Sequence, residues 1–205
     1  MEYIYYIQYT SKLFSGKVTF MAKQRRTGQK KELLSLTNDR VFRTVLGEKN
    51  IGALADFLSA VLDVPEDEFD RLVVDDPNLH INKEDGKSGQ LDIRAHMKGG
   101  EIIHIEVQVN PEQGFRKRIV YYNDRLYVDQ LSKGGEYYEL NRTISIIITD
   151  HVLLRENQRY SNKFMWYNKF NELLINDQEI IVLELPKLPP DDDNTKLWNW
   201  LKFLT

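Results

Sequence analysis

The sequence predicts a mixed α/β fold in which a central sheet, including one β-hairpin, is flanked by helices. Two stretches before residue 65 have the apolar spacing of amphipathic helices. Two segments of alternating polar and apolar residues then flank the glycine pair Gly99-Gly100, as expected for a hairpin. A further helical pattern and further apolar strand patterns follow. This order of helices, hairpin, helix and strands is typical of a mixed α/β protein.

The composition is that of one globular unit with no strong overall charge. The 205 residues suffice for one core, and a net charge of −3 with a pI near 5.9 gives no global attraction for phosphate. Any nucleic acid must therefore be held by local basic patches. The lack of cysteine excludes disulfides, a thiolate nucleophile and a thiolate zinc site. No apolar run reaches membrane-spanning length, so we expect a cytoplasmic protein with no membrane partner.

Residues 1–31 are expected to form a flexible N-terminal extension, followed by a single folded domain over residues 32–205. Residues 1–20 are aromatic and unpatterned, and residues 22–31 are basic and polar with almost no core-forming side chain. One hypothesis is that Met21 is the natural start of translation. The alternative is that the whole extension is a tail of the protein.

Two helices are predicted ahead of the first clear strand. One has Asn38 or Asp39 as its N-cap, and the second spans residues 51–62, where apolar side chains recur at helical spacing. Residues 65–90 are rich in charge, Asn, Gly and Pro and are predicted to be mainly loop.

A long helix is predicted after the hairpin, over residues 111–131, because apolar side chains recur there every three or four positions. The run 144–148 is apolar and β-branched, which predicts a strand covered on both faces. Another strand is predicted at 180–185, whereas residues 160–175 fit either a helix or a strand.

The register of the hairpin follows from its two alternating strands, because a shift of one residue would turn one apolar face outward. A two-residue turn would place Asp92 opposite Val107 and would mix the faces. A three-residue turn over Lys98-Gly99-Gly100 places Asp92 opposite Glu106 and keeps the apolar faces together. The alternating segments span residues 91–97 and 102–109.

This register brings two carboxylates together on the polar face. Directly opposed Cβ atoms lie roughly 4.5–5.5 Å apart, so Asp92 and Glu106 would repel each other unless a hard cation bound both. The alternative is an ordinary water-facing sheet surface, on which Arg94 neutralises either acid. His104 is expected to be a plain surface residue of that face rather than a metal ligand.

The segment Leu91-Asp92-Ile93, followed after a short loop by Ile105-Glu106-Val107-Gln108, resembles the active-site signature of PD-(D/E)XK nucleases. The similarity is to the branch of recombination-promoting, Rpn-type nucleases and transposases, in which glutamine often replaces the usual lysine. It covers roughly residues 36–204. Further matching segments are Thr37 to Arg43, Gly114-Phe115-x-x-Arg118 with Tyr121-Tyr122, and Leu183 to Lys187.

The resemblance implies a restriction-endonuclease-like core and a metal-dependent DNA endonuclease connected with recombination or mobile elements. Asp92, Glu106 and the main-chain carbonyl of Val107 would hold Mg²⁺, for which Mn²⁺ is a substitute. Gln108 would orient the attacking water by hydrogen bonding without supplying positive charge. A slower enzyme than a lysine-containing relative is therefore expected.

Other residues have both a functional and an ordinary explanation. Asp39 would be an additional acidic residue of the site, or simply the helix cap. Arg116, Arg118 and Arg125 lie on the helix after the hairpin and would contact the DNA backbone, or are solvated charges on the outer side of that helix. The basic stretch 23–31 has the same two explanations.

Two departures from the family pattern bear on activity. Gln90-Leu91 stands before Asp92 in place of the conventional Pro-Asp start. Family members often continue beyond the segment that corresponds to Leu197–Leu201, so a C-terminally shortened copy is expected. The alternative function is accordingly an inactive relative that at most binds DNA. The oligomeric state is open, with a homodimer among the options.

Overall fold

The computed structural model describes residues 42, 45–47, 50–75 and 93–205. In that part of the chain, three helices flank a six-stranded mixed sheet, which confirms the α/β class. The helices are α1 (Ile51–Leu62), α2 (Phe115–Val128) and α3 (Lys196–Leu204). The strands are β1 (Val73–Val74), β2 (Ile93–His96), β3 (Ile102–Gln108), β4 (Thr143–Thr149), β5 (Ser161–Tyr167) and β6 (Leu173–Glu184). None of these helices combines the length and apolarity that crossing a membrane requires.

The order of strands across the sheet is β1-β2-β3-β4-β6-β5. The three middle strands β3, β4 and β6 run parallel, and the outer strands pair antiparallel to their neighbours. Every residue of β4 is buried, as the apolar run predicts for a strand covered on both faces. The sheet therefore has its most apolar strand at its centre, with the hairpin β2–β3 on one side.

Helices cover both faces of this sheet. The larger core lies between the sheet and helices α1 and α3. There the rings of Phe57 and Trp200 pack edge-to-face, with their centres 5.6 Å apart. A smaller core lies on the opposite face, where Phe115 and Ile119 of α2 pack against Ile147 and Val182. Helix α2 thus lies over β4 and β6, on the face of the sheet from which Glu106 projects.

Local chemistry explains where the helices begin and end. The helix predicted at 51–62 has those limits, and it stops where Asp63 adopts a left-handed conformation with φ of 55°. The helix predicted at 111–131 begins only at Phe115, because Gly114 has a φ of 80° that no helical residue adopts. The ambiguous region 160–175 is a strand hairpin, formed by β5 and the start of β6.

Some predictions fall on residues that are not described. Those residues include the helix cap at Asn38 or Asp39, the extension 1–31 and most of the loop predicted at 65–90. The described part of that loop contains a 3₁₀ helix at Glu66–Phe69 and the short strand β1, neither of which was predicted.

Candidate active site

The hairpin has the register that the alternating pattern predicts. Ile93 lies opposite Ile105 and Arg94 opposite His104. The turn has three residues, since Met97 N–H donates to the Glu101 carbonyl at 2.9 Å. Asp92 itself lies outside the described residues.

Gly100 shows why this turn length is favoured. Its φ of 96° is in the left-handed region, and a Cβ placed there would lie 2.9 Å from side-chain atoms of Asn141. The glycine therefore satisfies both the backbone conformation and the close approach of the neighbouring loop.

Strand β3 presents the remaining predicted site residues near its carboxyl end. Glu106 and Gln108 project from the α2 side of the sheet, and the Glu106 side chain is only 13% exposed. Val107, between them, turns its buried side chain toward the core under α1 and α3. Only its main chain can therefore face the same site as its neighbours.

Arg118 lies beside the hairpin and not on the outer side of α2, where the helical pattern had placed it. One of its terminal nitrogens, Nη2, donates to Glu106 Oε1 and also to Gln108 Oε1, the latter at 2.9 Å. The other terminal nitrogen donates to Glu112, and the guanidinium lies 4.7 Å from the centre of the Phe115 ring. Arg118 thus points at the candidate site instead of lying on the outer side of the helix.

The spacing of residues along the helix could have predicted the position of Arg118. Arg118 follows Phe115 by three residues, which places both on one side of a helix, and Phe115 is buried against the sheet. Arg94, which in the alternative interpretation neutralises either acid, pairs with Asp75 at 3.0 Å. Among the described residues, the cation that pairs with Glu106 therefore comes from the helix.

The other two predicted DNA-binding arginines also have partners within the chain. Arg116 pairs with Glu156 at 2.9 Å, and Arg125 pairs with Asp129 one helical turn away, also at 2.9 Å. Both pairs are accessible to water, where ion pairs are weak and exchange readily. Their contact with DNA stays a prediction, as does a role for Asp39, which lies outside the described residues.

The prediction that His104 is a surface residue is wrong. Its side chain is 1% exposed, and neither ring nitrogen has a hydrogen-bond partner among the described residues. Burial lowers the pKa of His104 to about 3, with further lowering by the positive charges of Arg94 and Arg118. The imidazole is therefore neutral at physiological pH.

Replacing His104 by Leu should stabilise the metal-free protein by about 1–3 kcal/mol at pH 7, because an unpaired polar group leaves the interior. At pH 5 the stabilisation by His104→Leu should be about 2 kcal/mol larger than at pH 7. Between pH 6.5 and 3 the unfolded imidazole binds a proton that the folded one does not, so wild-type stability falls as the pH falls. Urea unfolding in EDTA at both pH values measures this effect.

The matched control is His151→Leu, because His151 is partly exposed and its ring nitrogen lies near the Val109 carbonyl. Its replacement should bring no comparable gain in stability at pH 7, because no unpaired buried group is removed. A His104→Leu protein that is less stable than wild type at both pH values would contradict the expectation.

The oxygens on β3 suit a cation. Glu106 and Gln108 each direct a side-chain oxygen at the same Arg118 nitrogen, so the two oxygens lie close enough to share one positive group. Carboxylate and amide oxygens are the ligands that hard divalent ions prefer. Within the described ranges no three acidic or histidine side chains cluster as metal ligands, and the second predicted carboxylate, Asp92, falls outside those ranges.

A buried ion pair supports the loop at the end of β4. Glu184, at the end of β6, accepts from the N–H groups of Leu153 and Leu154 at 2.8 and 2.9 Å, and its other oxygen lies 2.7 Å from Lys187 Nζ. The two charged side chains are 0% and 4% exposed. The same loop holds Glu156, the partner of Arg116, so it also positions the first turn of α2.

A surface pocket of about 660 Å³ adjoins Arg118. It is lined by Glu112, Gln113, Gly114, Lys117, Arg118, Tyr121 and Tyr122. Burial raises the pKa of Tyr122, and the negative charge of Glu106 contributes in the same direction. The tyrosine hydroxyl therefore stays protonated and can donate a hydrogen bond to an anionic ligand.

No curated protein and no solved structure is significantly similar to this chain. Residues 36–205 match the model of one family, described as PD-(D/E)XK nuclease family transposase. The match spans most of the chain, including the whole sheet and the β2–β3 hairpin, and the mixed sheet is consistent with the restriction-endonuclease-like core of that family. The chain therefore belongs to the PD-(D/E)XK nuclease family transposases.

Proposed function

We propose that this protein is a magnesium-dependent DNA endonuclease that acts in recombination or in mobile elements. Family membership supports a nuclease or transposase-related role with DNA as the substrate. The observation that carries the proposal is the convergence of the Glu106 and Gln108 oxygens on one cationic nitrogen, on a partly buried surface of β3. That arrangement is suited to a divalent cation and to a phosphate that accompanies it.

The proposed metal ligands are Asp92, Glu106 and the main-chain carbonyl of Val107. Ile93 pairs with Ile105, so the same register continued by one residue would place Asp92 opposite Glu106. Two carboxylates in that position would supply the negative charge that Mg²⁺ or Mn²⁺ requires. When bound, the ion would polarise a water molecule and offset charge on the scissile phosphate.

The neighbouring side chains would position the reactants. The amide of Gln108 would orient water through hydrogen bonds, without the positive charge of a lysine. Arg118 balances the charge of Glu106 in the free protein, and its planar guanidinium could pair with a phosphate when a metal replaces it at the carboxylate. Lys117 and the protonated hydroxyl of Tyr122 line the adjoining pocket and would bind the DNA backbone.

Plasmid cleavage in the presence of Mg²⁺ is the test of this proposal. Wild-type protein should convert supercoiled plasmid to nicked or linear forms, EDTA should prevent this, and Asp92→Ala should be inactive. The exposed Asp191 provides a control, since Asp191→Ala removes an equal charge away from the hairpin. Equal cleavage by wild type and Asp92→Ala, or no cleavage by either, would refute the proposal.

The second candidate is an inactive relative that binds DNA at most, and the position of Arg118 favours it. An arginine already satisfies the oxygens that a metal would need. Salt-sensitive DNA binding that needs no metal and leads to no cleavage would support this alternative.

Replacing Arg118 by Met should lower the Kd for Mn²⁺ by about 10-fold, because it removes the cation that competes for Glu106. The effect is limited, since the Arg118 side chain is 30% exposed and water screens the pair. Titration calorimetry with Mn²⁺ and no DNA measures the Kd without any dependence on activity.

Arg116→Met is the matched control for this experiment. Arg116 is on the same turn of α2 but pairs with Glu156, so its loss should leave the Kd for Mn²⁺ unchanged. Weaker Mn²⁺ binding by Arg118→Met would show that the guanidinium assists the metal instead of competing with it.

A further inference from the structure

An arm made of the distal part of the β5–β6 hairpin, residues 164–175, carries an unusual amount of exposed apolar surface. Leu174 is 80% exposed, Phe170 71% and Trp166 51%. The exposed apolar side chains of the arm are Phe164, Trp166, Tyr167, Phe170, Leu173, Leu174 and Ile175. They follow one another along both strands and the turn, and because side chains alternate along a strand, Leu174 faces the opposite side of the arm from Leu173 and Ile175.

The arm is well formed in spite of this exposure. Trp166 pairs with Ile175 and Tyr167 with Leu173 across the two strands. In the turn, Asn168 N–H donates to the Glu172 carbonyl at 3.0 Å, and the Asn168 side-chain oxygen accepts from two further N–H groups at 2.9 and 3.0 Å. The backbone shape is therefore fixed before any partner binds, which lowers the entropy cost of association.

The charges on the arm disfavour nucleic acid as its partner. Lys169 and Glu172 lie at the turn and are of opposite sign, and the Lys169 ammonium lies 5.0 Å from the centre of the Phe170 ring. Lys163, where the arm joins the sheet, is paired with the buried Glu179 at 2.8 Å. Without a net positive charge the arm does not attract phosphate, whereas its apolar and aromatic side chains are those enriched at protein interfaces.

We infer that the arm is the contact through which two copies of this chain associate. Its seven exposed apolar side chains offer on the order of 800 Å² of surface over the two faces and the turn, given the size of such side chains. A stable interface buries about that area on each partner, so the two arms would enclose each other to bury it. A two-fold axis brings the same surface together from both copies. One lysine and one glutamate at the turn allow this approach without repulsion between like charges.

The position of the arm is compatible with the proposed catalytic hairpin. Strand β5 is at the edge of the sheet, with β6 and β4 between it and β3. At the usual spacing of strands, β3 lies about 14 Å from β5. Association through the arm would therefore take place at the edge of the sheet away from the β2–β3 hairpin.

The first test compares the mass of the full chain with that of Phe170→Glu/Leu174→Glu by sedimentation equilibrium. Wild type should have twice the 24.2 kDa of one chain at micromolar concentration, and the variant should have the mass of one chain, with Kd for association raised at least 100-fold. Tyr137→Glu/Tyr138→Glu is the matched control, because these side chains are 82% and 84% exposed outside the arm. The control should stay dimeric.

The second test introduces no charged residue into the arm. Because the chain has no cysteine, Leu174→Cys introduces one thiol, which should form a disulfide-linked dimer under mild oxidation, whereas Tyr138→Cys should not. A monomeric wild type, or a Phe170→Glu/Leu174→Glu variant as dimeric as wild type, would overturn the inference. Two other results would also overturn it, because each gives the arm another partner. One is a monomeric wild type whose DNA binding is lost in the Phe170→Glu/Leu174→Glu variant. The other is a monomer in which the arm protects residues 1–20 from protease.

Discussion

Replacing Glu106 by Gln should reduce Mg²⁺-dependent cleavage by roughly 10³-fold, because a bound metal provides several kcal/mol of transition-state stabilisation. The substitution keeps the shape of the side chain, and its amide oxygen can still accept from Arg118. The fold should therefore be unchanged, with urea unfolding close to that of wild type. The rate of plasmid nicking at saturating Mg²⁺ measures the effect on activity.

Glu112→Gln is the control that separates a metal ligand from a simple partner of Arg118. Glu112 loses the same charge and also pairs with Arg118, but its side chain is 46% exposed and it is not on β3. Its cleavage rate should stay within about three-fold of wild type. If both variants lost activity equally, the role of Glu106 would be to hold Arg118, and the proposed metal site would be wrong.

Replacing Lys187 by Met should destabilise the protein by about 3–5 kcal/mol, the usual cost of leaving one partner of a buried ion pair without the other. Glu184 would keep its charge in the interior with only the two N–H groups of Leu153 and Leu154 as partners. For a chain of this size Tm should fall by roughly 6–20 °C. Thermal unfolding followed by circular dichroism measures the shift.

Two variants make that result specific. Arg125→Met breaks a solvent-accessible pair and should cost less than about 1 kcal/mol. Glu184→Gln combined with Lys187→Met should recover part of the stability, since the amide oxygen still accepts from the loop and no unpaired charge stays buried. No recovery in the double variant would mean that Lys187 acts mainly through its other contact, the Leu154 carbonyl.

The register of the hairpin could be predicted because it depends on short-range rules. Side chains alternate along a strand, and the glycines allow only some turns, so the pairing of Ile93 with Ile105 follows from the sequence alone. Strand β4 was equally predictable, because an apolar β-branched run is typical of a strand covered on both faces.

The surroundings of the site depend on long-range packing and could not be predicted in the same way. His104 looks like a surface residue when only the alternation of its strand is considered, and its burial depends on long-range packing over that face of the sheet. The pairing of Arg118 with Glu106 depends on where α2 docks. Asp39 and Asp92 stay predictions, because both lie outside the described residues.

The late position of β6 in the chain has a consequence for synthesis of the protein. This strand inserts between β4 and β5, so until residues 173–184 have left the ribosome, β4 is an unpaired apolar edge. Glu184, which holds the loop beside α2, becomes available at the same stage. Until this last strand is in place, the nascent chain therefore exposes an apolar edge that favours aggregation.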